Sequence, residues 1–189
     1  MTPRGLSLTL LSCAALWGCD GGAMGTSDGL ITADYNGLVD GASWTWRDDV
    51  SAEELPAEEA LLRGRYVGEG IIEIRRGERF ADAEPWGFLE FDTSEGLALV
   101  AWELGEVVGE GRTPLSDDRI VDEQLVVSGR AQCVGQTFMT HDTFYATFDA
   151  AVRFDCAGGG LPGVYIFAKT VGLVSLRTNS VTLDLVAPW

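Results

Sequence analysis

Apolar and polar residues alternate along much of the chain, which is the pattern of β-strands with one buried face. The clearest alternation covers residues 143–156, TFYATFDAAVRFDC. Alternate residues of a strand point to opposite sides, so this segment is predicted to be a half-buried strand. The apolar side chains predicted to share its buried face are Phe144, Ala146, Phe148, Ala150, Val152, Phe154 and Cys156.

Short turns divide much of the remaining chain into predicted hairpins. Thr93–Gly96 separates two alternating segments, and Gly68 and Gly70 separate another two. Near the C-terminus, Thr178–Ser180 joins two further strands. The segments predicted to form strands are 66–77, 86–92, 97–104, 122–133, 143–156, 164–169, 171–176 and 181–187.

One segment, residues 51–64, is predicted to contain a short helix. Ser51 and Glu54 have the spacing of a capping box, and Gly64 is placed to end the helix. Because proline is disfavoured inside a helix, Pro56 restricts this element to a few turns beginning near it.

No other segment has helical periodicity, and residues 109–118, GEGRTPLSDD, are predicted to be an irregular surface loop. About nine or ten short strands with hairpin-type turns predict an all-β fold. The expected architecture is an antiparallel sandwich or a strongly curved, partly closed barrel-like sheet, with at most one short helix.

The first 18 residues have the composition of an export signal. Arg4 is followed by an uncharged run, rich in Leu and Ala, from Leu6 to Trp17. A membrane-spanning helix needs roughly 20 apolar residues, so this run of about twelve is too short to be one. Residues 1–18 are therefore predicted to be a signal peptide.

The sequence Leu16-Trp17-Gly18-Cys19 resembles the lipobox of bacterial lipoproteins. The resemblance implies cleavage before Cys19 and acylation of that cysteine, palmitate included. A rival box ends at Cys13, but it would leave a signal shorter than the usual roughly 15–30 residues. Residues 19–29 are rich in glycine and are predicted to be a flexible tether to a single β-domain at 30–189.

Two further segments, GLVDGASWTW at 37–46 and AKTVGLVSL at 168–176, resemble a group of uncharacterised β-rich bacterial lipoproteins. Domains of that group open on a Trp-x-Tyr pattern and close on a Gly-Val-Gly-x-Val strand. In this chain Trp46 replaces the Tyr, and the closing strand differs in part. The resemblance implies a β-fold and no known activity.

The chain is strongly acidic, with a formal net charge of −16. Loss of residues 1–18 would remove one arginine and no acid, giving −16 − 1 = −17. Such a charge argues against nucleic acid as a partner, and against peripheral binding to anionic lipid. The predicted partners are the membrane, through the lipid anchor, and an unidentified protein or small molecule.

The predicted export determines how the cysteines are interpreted. Of four, Cys13 lies in the predicted signal and Cys19 is the predicted acylation site. Cys133 and Cys156 remain as an even pair in an exported chain, which predicts a mostly buried disulfide.

The disulfide also constrains the fold. A tight hairpin turning near Thr140-His141 would separate the two cysteines by more than ~20 Å, too far for a bridge. Residues 134–142 are therefore predicted to fold back as an excursion that returns the chain toward Cys133.

No recognisable motif indicates catalysis, and no cofactor or metal site is predicted. His141 and Asp142 form a His–Asp pair, but neighbours on a strand point to opposite faces. Adjacent carboxylates such as Asp48-Asp49 and Asp117-Asp118 cannot be placed across a cleft from sequence alone. Residues 92–95 are interpreted as a turn rather than a calcium loop.

Trp44 and Trp46 are the only ligand-binding candidates, because they share one face if residues 43–47 form a strand. Aromatic pairs can stack on sugars or apolar ligands, and they also anchor cores, which is the favoured interpretation.

The sequence thus predicts an exported lipoprotein, lipid-anchored to the bacterial cell membrane or outer membrane, whose β-domain is structural or binding and not catalytic. Two alternatives stay open. One is a carrier or sensor that holds an apolar ligand within the curved sheet. The other is a hydrolase that acts through paired carboxylates.

Overall fold

A computed structural model describes residues 29–49, 56, 60–77 and 79–188. Most of these residues lie in strands, and one four-residue helix is present among them. The elements are β1 (Leu30–Ile31), α1 (Ala33–Asn36), β2 (Ser43–Asp48), β3 (Leu61–Gly68), β4 (Ile71–Arg76), β5 (Glu84–Asp92), β6 (Leu97–Leu104), β7 (Val107–Ser116), β8 (Arg119–Ile120), β9 (Leu125–Ser128), β10 (Ala131–Asp142), β11 (Thr147–Ala157), β12 (Gly163–Ala168), β13 (Gly172–Arg177) and β14 (Thr182–Pro188).

Twelve strands form one antiparallel sheet in the order β7-β6-β5-β4-β3-β2-β14-β13-β12-β11-β10-β9. Nearly every neighbour in this order is also a neighbour in the chain, so hairpins build most of the sheet. The exception is the pairing of β2 with β14, which joins the two halves of the domain. Strands β1 and β8 form a separate two-stranded sheet. The predicted all-β fold is confirmed.

The sheet curves until its ends meet, as a barrel-like sheet should. Thr113 of β7 is fully buried where that end strand approaches the loop between β11 and β12. Its hydroxyl accepts a hydrogen bond from the Leu161 amide at 2.8 Å, and the Tyr165 hydroxyl donates to the Leu161 carbonyl at 2.6 Å. The first bond ties β7 to the loop between β11 and β12, the second holds that loop against β12, and β7 itself lies against β9 and β10.

Large apolar side chains fill the inner face. Phe167 meets Phe91 and Phe154 edge-to-face, with ring centroids 6.4 and 6.0 Å apart, which joins the two halves of the sheet. The largest fully buried side chains are Trp44, Trp46, Tyr165, Phe154, Phe167, Leu62, Ile72, Ile74, Leu89, Leu97, Leu99 and Leu104.

Three predicted elements are wrong. Residues 109–116 belong to β7 rather than to a loop, and Pro114 is tolerated there because β7 is an end strand. Residues 122–133 are not one strand, because a turn with Gly129 in a left-handed conformation divides them into β9 and β10. Gly64 does not end a helix but lies within β3.

Gly64 is required by packing. A Cβ atom at this position would lie 2.3 Å from a ring atom of Trp46, so the indole occupies the space a side chain would need. Much of the predicted helix, and the predicted signal peptide, Cys13, Cys19 and all but the last residue of the predicted tether, lie outside the described residues. Within the described ranges, no helix has the length and hydropathy to span a bilayer.

The predicted buried face of residues 143–156 holds for only part of that segment. β11 begins at Thr147, and the Phe144 side chain is exposed in the turn before it. Two shifts of register between β10 and β11 then reverse the alternation, leaving Ala150 exposed and Ala151 buried. The alternation from Val152 to Phe154 follows the prediction.

Cys133 and Cys156 form a disulfide, and they are direct partners across β10 and β11 with Cα atoms 4.1 Å apart. The prediction that a bridge and a plain hairpin exclude each other is wrong. It placed the turn near His141, whereas the turn covers residues 143–146, midway between the cysteines. Residues 134–142 accordingly continue β10 instead of folding back on it.

Candidate functional site

Trp44 and Trp46 belong to the core. They are 1% and 0% exposed, and their rings stack with centroids 5.7 Å apart. Their indole N–H groups donate to the carbonyl oxygens of Val171 at 2.7 Å and Leu173 at 3.1 Å. With the rings packed and the N–H groups bonded, neither residue offers a stacking platform to a ligand.

Among the described residues, the other sequence candidates do not form a catalytic group with one another. Asp142 is exposed and accepts a hydrogen bond from Thr147 at 2.6 Å, whereas His141 lies on the opposite side of β10 and is half-buried. Asp92 accepts two hydrogen bonds from Ser94 and one from Arg112. These bonds, those from Ser94 first, hold the pKa of Asp92 well below its usual range, as in a structural turn.

A cleft of about 170 Å³ opens where the outer faces of β2 and β3 meet the loop after β4. We call it the arginine cleft. The residues that line it are Ser43, Trp44, Arg63, Gly64, Arg65, Arg79 and Phe80. Arg63 and Arg65 reach it together because alternate residues of β3 share its outer face, opposite to the buried Leu62 and Gly64.

The three arginines of the cleft have no acidic partner among the described residues. Arg63 donates to the Thr45 hydroxyl at 2.6 Å, but its Nε is buried without a hydrogen-bond partner. Unpaired guanidinium groups are unexpected in a chain that carries 29 acidic residues and 13 basic ones.

The Phe80 ring holds arginine side chains in place at the cleft. The guanidinium of Arg65 lies 4.2 Å from the centre of its ring, and that of Arg75 lies 4.9 Å from it. Arg75 is in addition paired with Glu73 at 2.7 Å, so its charge is locally balanced. Stacking on a ring fixes the plane of a guanidinium while leaving N–H donors free at its edge.

The arrangement can bind an anion. A guanidinium presents up to five N–H donors in a planar fork that matches the oxygens of a carboxylate, sulfate or phosphate. One feature of the sequence signals this site: five of the 13 basic residues fall between Arg63 and Arg79. Sequence reasoning passed over it because the overall charge is negative.

A second polar group lies on the outer face of the other half of the sheet. Direct cross-strand partners form one row, Arg47–Asp184–Ser175–Ile166–Arg153, across β2, β14, β13, β12 and β11. Outer-face residues would ordinarily be exposed, yet Ser175 is 0% and Asp184 8% exposed. Another part of the chain must therefore cover the middle of this row.

The end of the β10–β11 hairpin provides the cover, and we call residues 137–150 the arm. The Phe144 ring at its tip stacks against Arg47 of β2, at the far end of the row. Burial lowers the pKa of His141 in the arm. The charge of Asp184 raises that pKa, and the charge of Arg177 lowers it. Ser175 Oγ, Asp184 Oδ1 and His141 Nε2 are all buried without a hydrogen-bond partner.

Over the described ranges, no three His, Cys, Asp or Glu side chains gather as metal ligands. Comparisons with models of protein families, with curated protein sequences and with solved structures find no match to this chain.

Proposed function

We propose that this protein is an exported lipoprotein, anchored to the membrane through Cys19, whose β-domain is not catalytic and binds an anionic group in the arginine cleft. The observation that carries the binding role is the set of three arginines, Arg63, Arg65 and Arg79, that line one cleft and have no carboxylate partner in the part of the chain that the structure describes.

The anchoring half of the proposal rests on the sequence. The uncharged run ends in Leu16-Trp17-Gly18-Cys19, and a glycine-rich stretch follows it. The cysteine usage agrees with export, because Cys133 and Cys156 are placed to form a disulfide. The predicted tether of about ten residues corresponds to a root-mean-square reach of roughly 17 Å, which would place the domain close to the membrane surface.

The alternatives have less support. A carrier of an apolar ligand inside the sheet needs an internal space, but large side chains such as Trp46, Tyr165 and Phe167 fill that face. A carboxylate-dependent hydrolase needs two carboxyl groups across an open cleft. Asp48 and Asp184 are buried carboxylates, and each lies within 4 Å of an arginine.

Anchoring is tested by membrane fractionation after expression in a lipidating host. The wild-type chain and Cys13→Ser should be found in the membrane fraction, and Cys19→Ser should lose acylation, as followed by incorporation of labelled palmitate. Equal labelling of Cys19→Ser and the wild type, with loss in Cys13→Ser, would assign the anchor to Cys13.

Anion binding is tested by calorimetric titration of the unacylated Cys19→Ser chain with inorganic phosphate and sulfate. Replacing Arg63 or Arg65 by Ala should weaken binding about tenfold, the effect of one charge-assisted hydrogen bond. Arg130→Ala is the matched control, because Arg130 is exposed in the β9–β10 turn. Absence of saturable binding, or an equal loss in the control, would refute the site.

A further inference from the structure

The outer face that carries the arginine cleft continues into an apolar groove of about 500 Å³ across β3, β4, β5 and β6. We call it the outer groove. Its principal lining residues are Val67, Ile71, Pro85, Phe88, Glu90 and Glu103. A volume of this size lies within the range of small-molecule sites.

The cleft and the groove are neighbours on one surface. In the antiparallel register, Arg65 of the cleft lies opposite Glu73 of β4, and Glu73 lies opposite Phe88 of β5. Two strand spacings, about 10 Å, therefore separate the guanidinium-bearing strand from the aromatic floor of the groove. Val67 follows Arg65 by two residues on the same face of β3.

Charge differs between the two regions. Guanidinium groups that have no carboxylate partner among the described residues lie at the cleft end, whereas the carboxylates of Glu73, Glu90 and Glu103 line the groove. Glu73 lies at the side of the groove nearest the cleft, and its carboxylate is neutralised by Arg75 at 2.7 Å. An anion is thus attracted to the cleft and repelled from the groove, whose apolar surface favours hydrocarbon.

We infer that the ligand is a single-chain anionic amphiphile. Its charged head lies on Arg63, Arg65 and Arg79, and its hydrocarbon chain lies along Phe88, Val67 and Ile71. The inference rests on the arginine cleft being the anion site of the proposed function, and it adds the apolar half of the ligand. Monomers in solution are the expected source, because the net charge of −16 opposes docking of this face on an anionic membrane.

The test compares three probes on the unacylated chain: inorganic phosphate, methyl phosphate and dodecyl phosphate below its micelle concentration. Dodecyl phosphate should bind about tenfold or more tightly than methyl phosphate, since burial of a few methylene groups supplies that factor. If the two organophosphates bind equally, the amphiphile inference is wrong and the anion site remains. If no probe binds, both the amphiphile inference and the anion site are refuted.

Two variants separate the halves of the ligand. Phe88→Ser should weaken dodecyl phosphate about tenfold and leave methyl phosphate unchanged, whereas Arg65→Ala should weaken both. Phe138→Ser is the control, because Phe138 is an exposed aromatic residue on the arm. An equal effect of Phe88→Ser on both probes would contradict the assignment of the groove.

Binding to vesicles that contain anionic phospholipid tests whether the amphiphile comes from monomers in solution or from a membrane. Little binding at physiological ionic strength is expected. Strong vesicle binding that disappears in Arg65→Ala would overturn the monomer source and identify the face as a membrane-docking surface.

Discussion

The guanidinium of Arg47 lies 5.0 Å from the centre of the Phe144 ring, although three strands of the sheet separate β2 from β11. Neighbouring strands are about 4.8 Å apart, so the arm reaches across roughly 19 Å of outer face. The stacking at its tip explains how polar residues of β13 and β14 become buried on a surface that would otherwise face water.

Replacement of Phe144 by Ala should loosen the arm. A partly exposed cation–π contact contributes about 0.5–1 kcal/mol, which corresponds to a two- to fivefold change in the opening equilibrium. Amide hydrogen exchange should therefore be about two- to fivefold faster in residues 139–150, and unchanged in β3 and β4.

Tyr145→Ala is the matched control for that experiment. Tyr145 is the neighbouring exposed aromatic residue in the same turn, and its ring stacks on no cation among the described residues. If both variants accelerate exchange equally, the Arg47 contact does not hold the arm.

The docked arm should also respond to pH through His141, the only histidine in the chain. Burial is the largest influence and lowers the pKa of His141 below its ordinary 6.5. Asp184 of β14 and Asp142 of the arm oppose this shift, whereas Arg177 of β13 and Arg153 of β11 reinforce it.

The sign of the pH effect follows from the lowered pKa. When the arm opens, His141 recovers its ordinary pKa, so the open form binds protons more readily than the docked form. The docked arm is therefore most stable above about pH 6.5 and loses stability as the pH falls toward the lowered pKa.

An NMR titration of the imidazole resonances, in parallel with hydrogen exchange of residues 139–150 at pH 7.5 and 5.5, checks this prediction. Exchange corrected for its intrinsic pH dependence should rise at pH 5.5 in the wild type and not in His141→Gln. A measured pKa at or above 6.5 would contradict the burial of the imidazole.

The contact between β7 and the β11–β12 loop can be tested at Gly160. This residue lies in that loop and has φ of +70°. A Cβ atom there would lie 2.1 Å from Thr113 Oγ1, the atom that accepts the Leu161 amide. Gly160→Ala should therefore lower the free energy of unfolding by about 1–3 kcal/mol for overpacking, beyond the left-handed strain of roughly 1 kcal/mol.

Gly129→Ala is the control, and the difference between the two variants in chemical denaturation isolates the steric part. Gly129 has φ of +60°, but a Cβ atom there would meet nothing within 4 Å. It should show the backbone strain alone. Similar losses in the two variants would mean that β7 does not close on this loop.

The elements that the sequence predicted correctly are those fixed by neighbouring residues. The turn between β5 and β6 was predicted from Thr93–Gly96, and the turn between β13 and β14 from Thr178–Ser180. In the second turn the Thr178 hydroxyl accepts a hydrogen bond from the Val181 amide at 3.0 Å. Such turns select a hairpin without help from the rest of the fold. Hence the all-β class could be predicted.

Features that depend on distant contacts could not be predicted. Pro114 and the glycines around it resemble a loop, yet the segment is held by β6 and buried by the closing sheet. The shifts of register that turn the arm arise where Phe138 takes a φ of +55°, which no residue pattern indicates. The arginine cleft needs Phe80, whose loop position brings it over β3 and β4.

Trp46 is expected to contribute strongly to the stability of the core. Trp46→Ala should reduce the free energy of unfolding by about 3–5 kcal/mol, because it empties a fully buried site and leaves the Leu173 carbonyl without its donor. Trp86, which is half-buried, is the comparison residue. Thermal melts of Trp46→Ala and Trp86→Ala should differ clearly, and near-equal midpoints would remove Trp46 from the core.

The Cys133–Cys156 bridge closes a loop whose ends are 23 residues apart, and that loop contains the whole arm. In the chain-entropy description, a bridge of this span stabilises the folded state by roughly 3 kcal/mol. Reduction, or a Cys133→Ala/Cys156→Ala double variant, should therefore lower the unfolding midpoint. Cys133 is fully buried, and alanine, which is smaller, fits the space of the thiol side chain. The double variant should still fold, because the β10–β11 ladder pairs many residues besides the two cysteines.

Thiol titration decides whether the bridge forms in the exported protein. Unfolded, unreduced chain lacking residues 1–19 should contain no reactive thiol as a monomer, and two after reduction. Two thiols before reduction would show that Cys133 and Cys156 are only neighbours across β10 and β11. In that case the hairpin ladder alone, with its two register shifts, would have to hold the base of the arm.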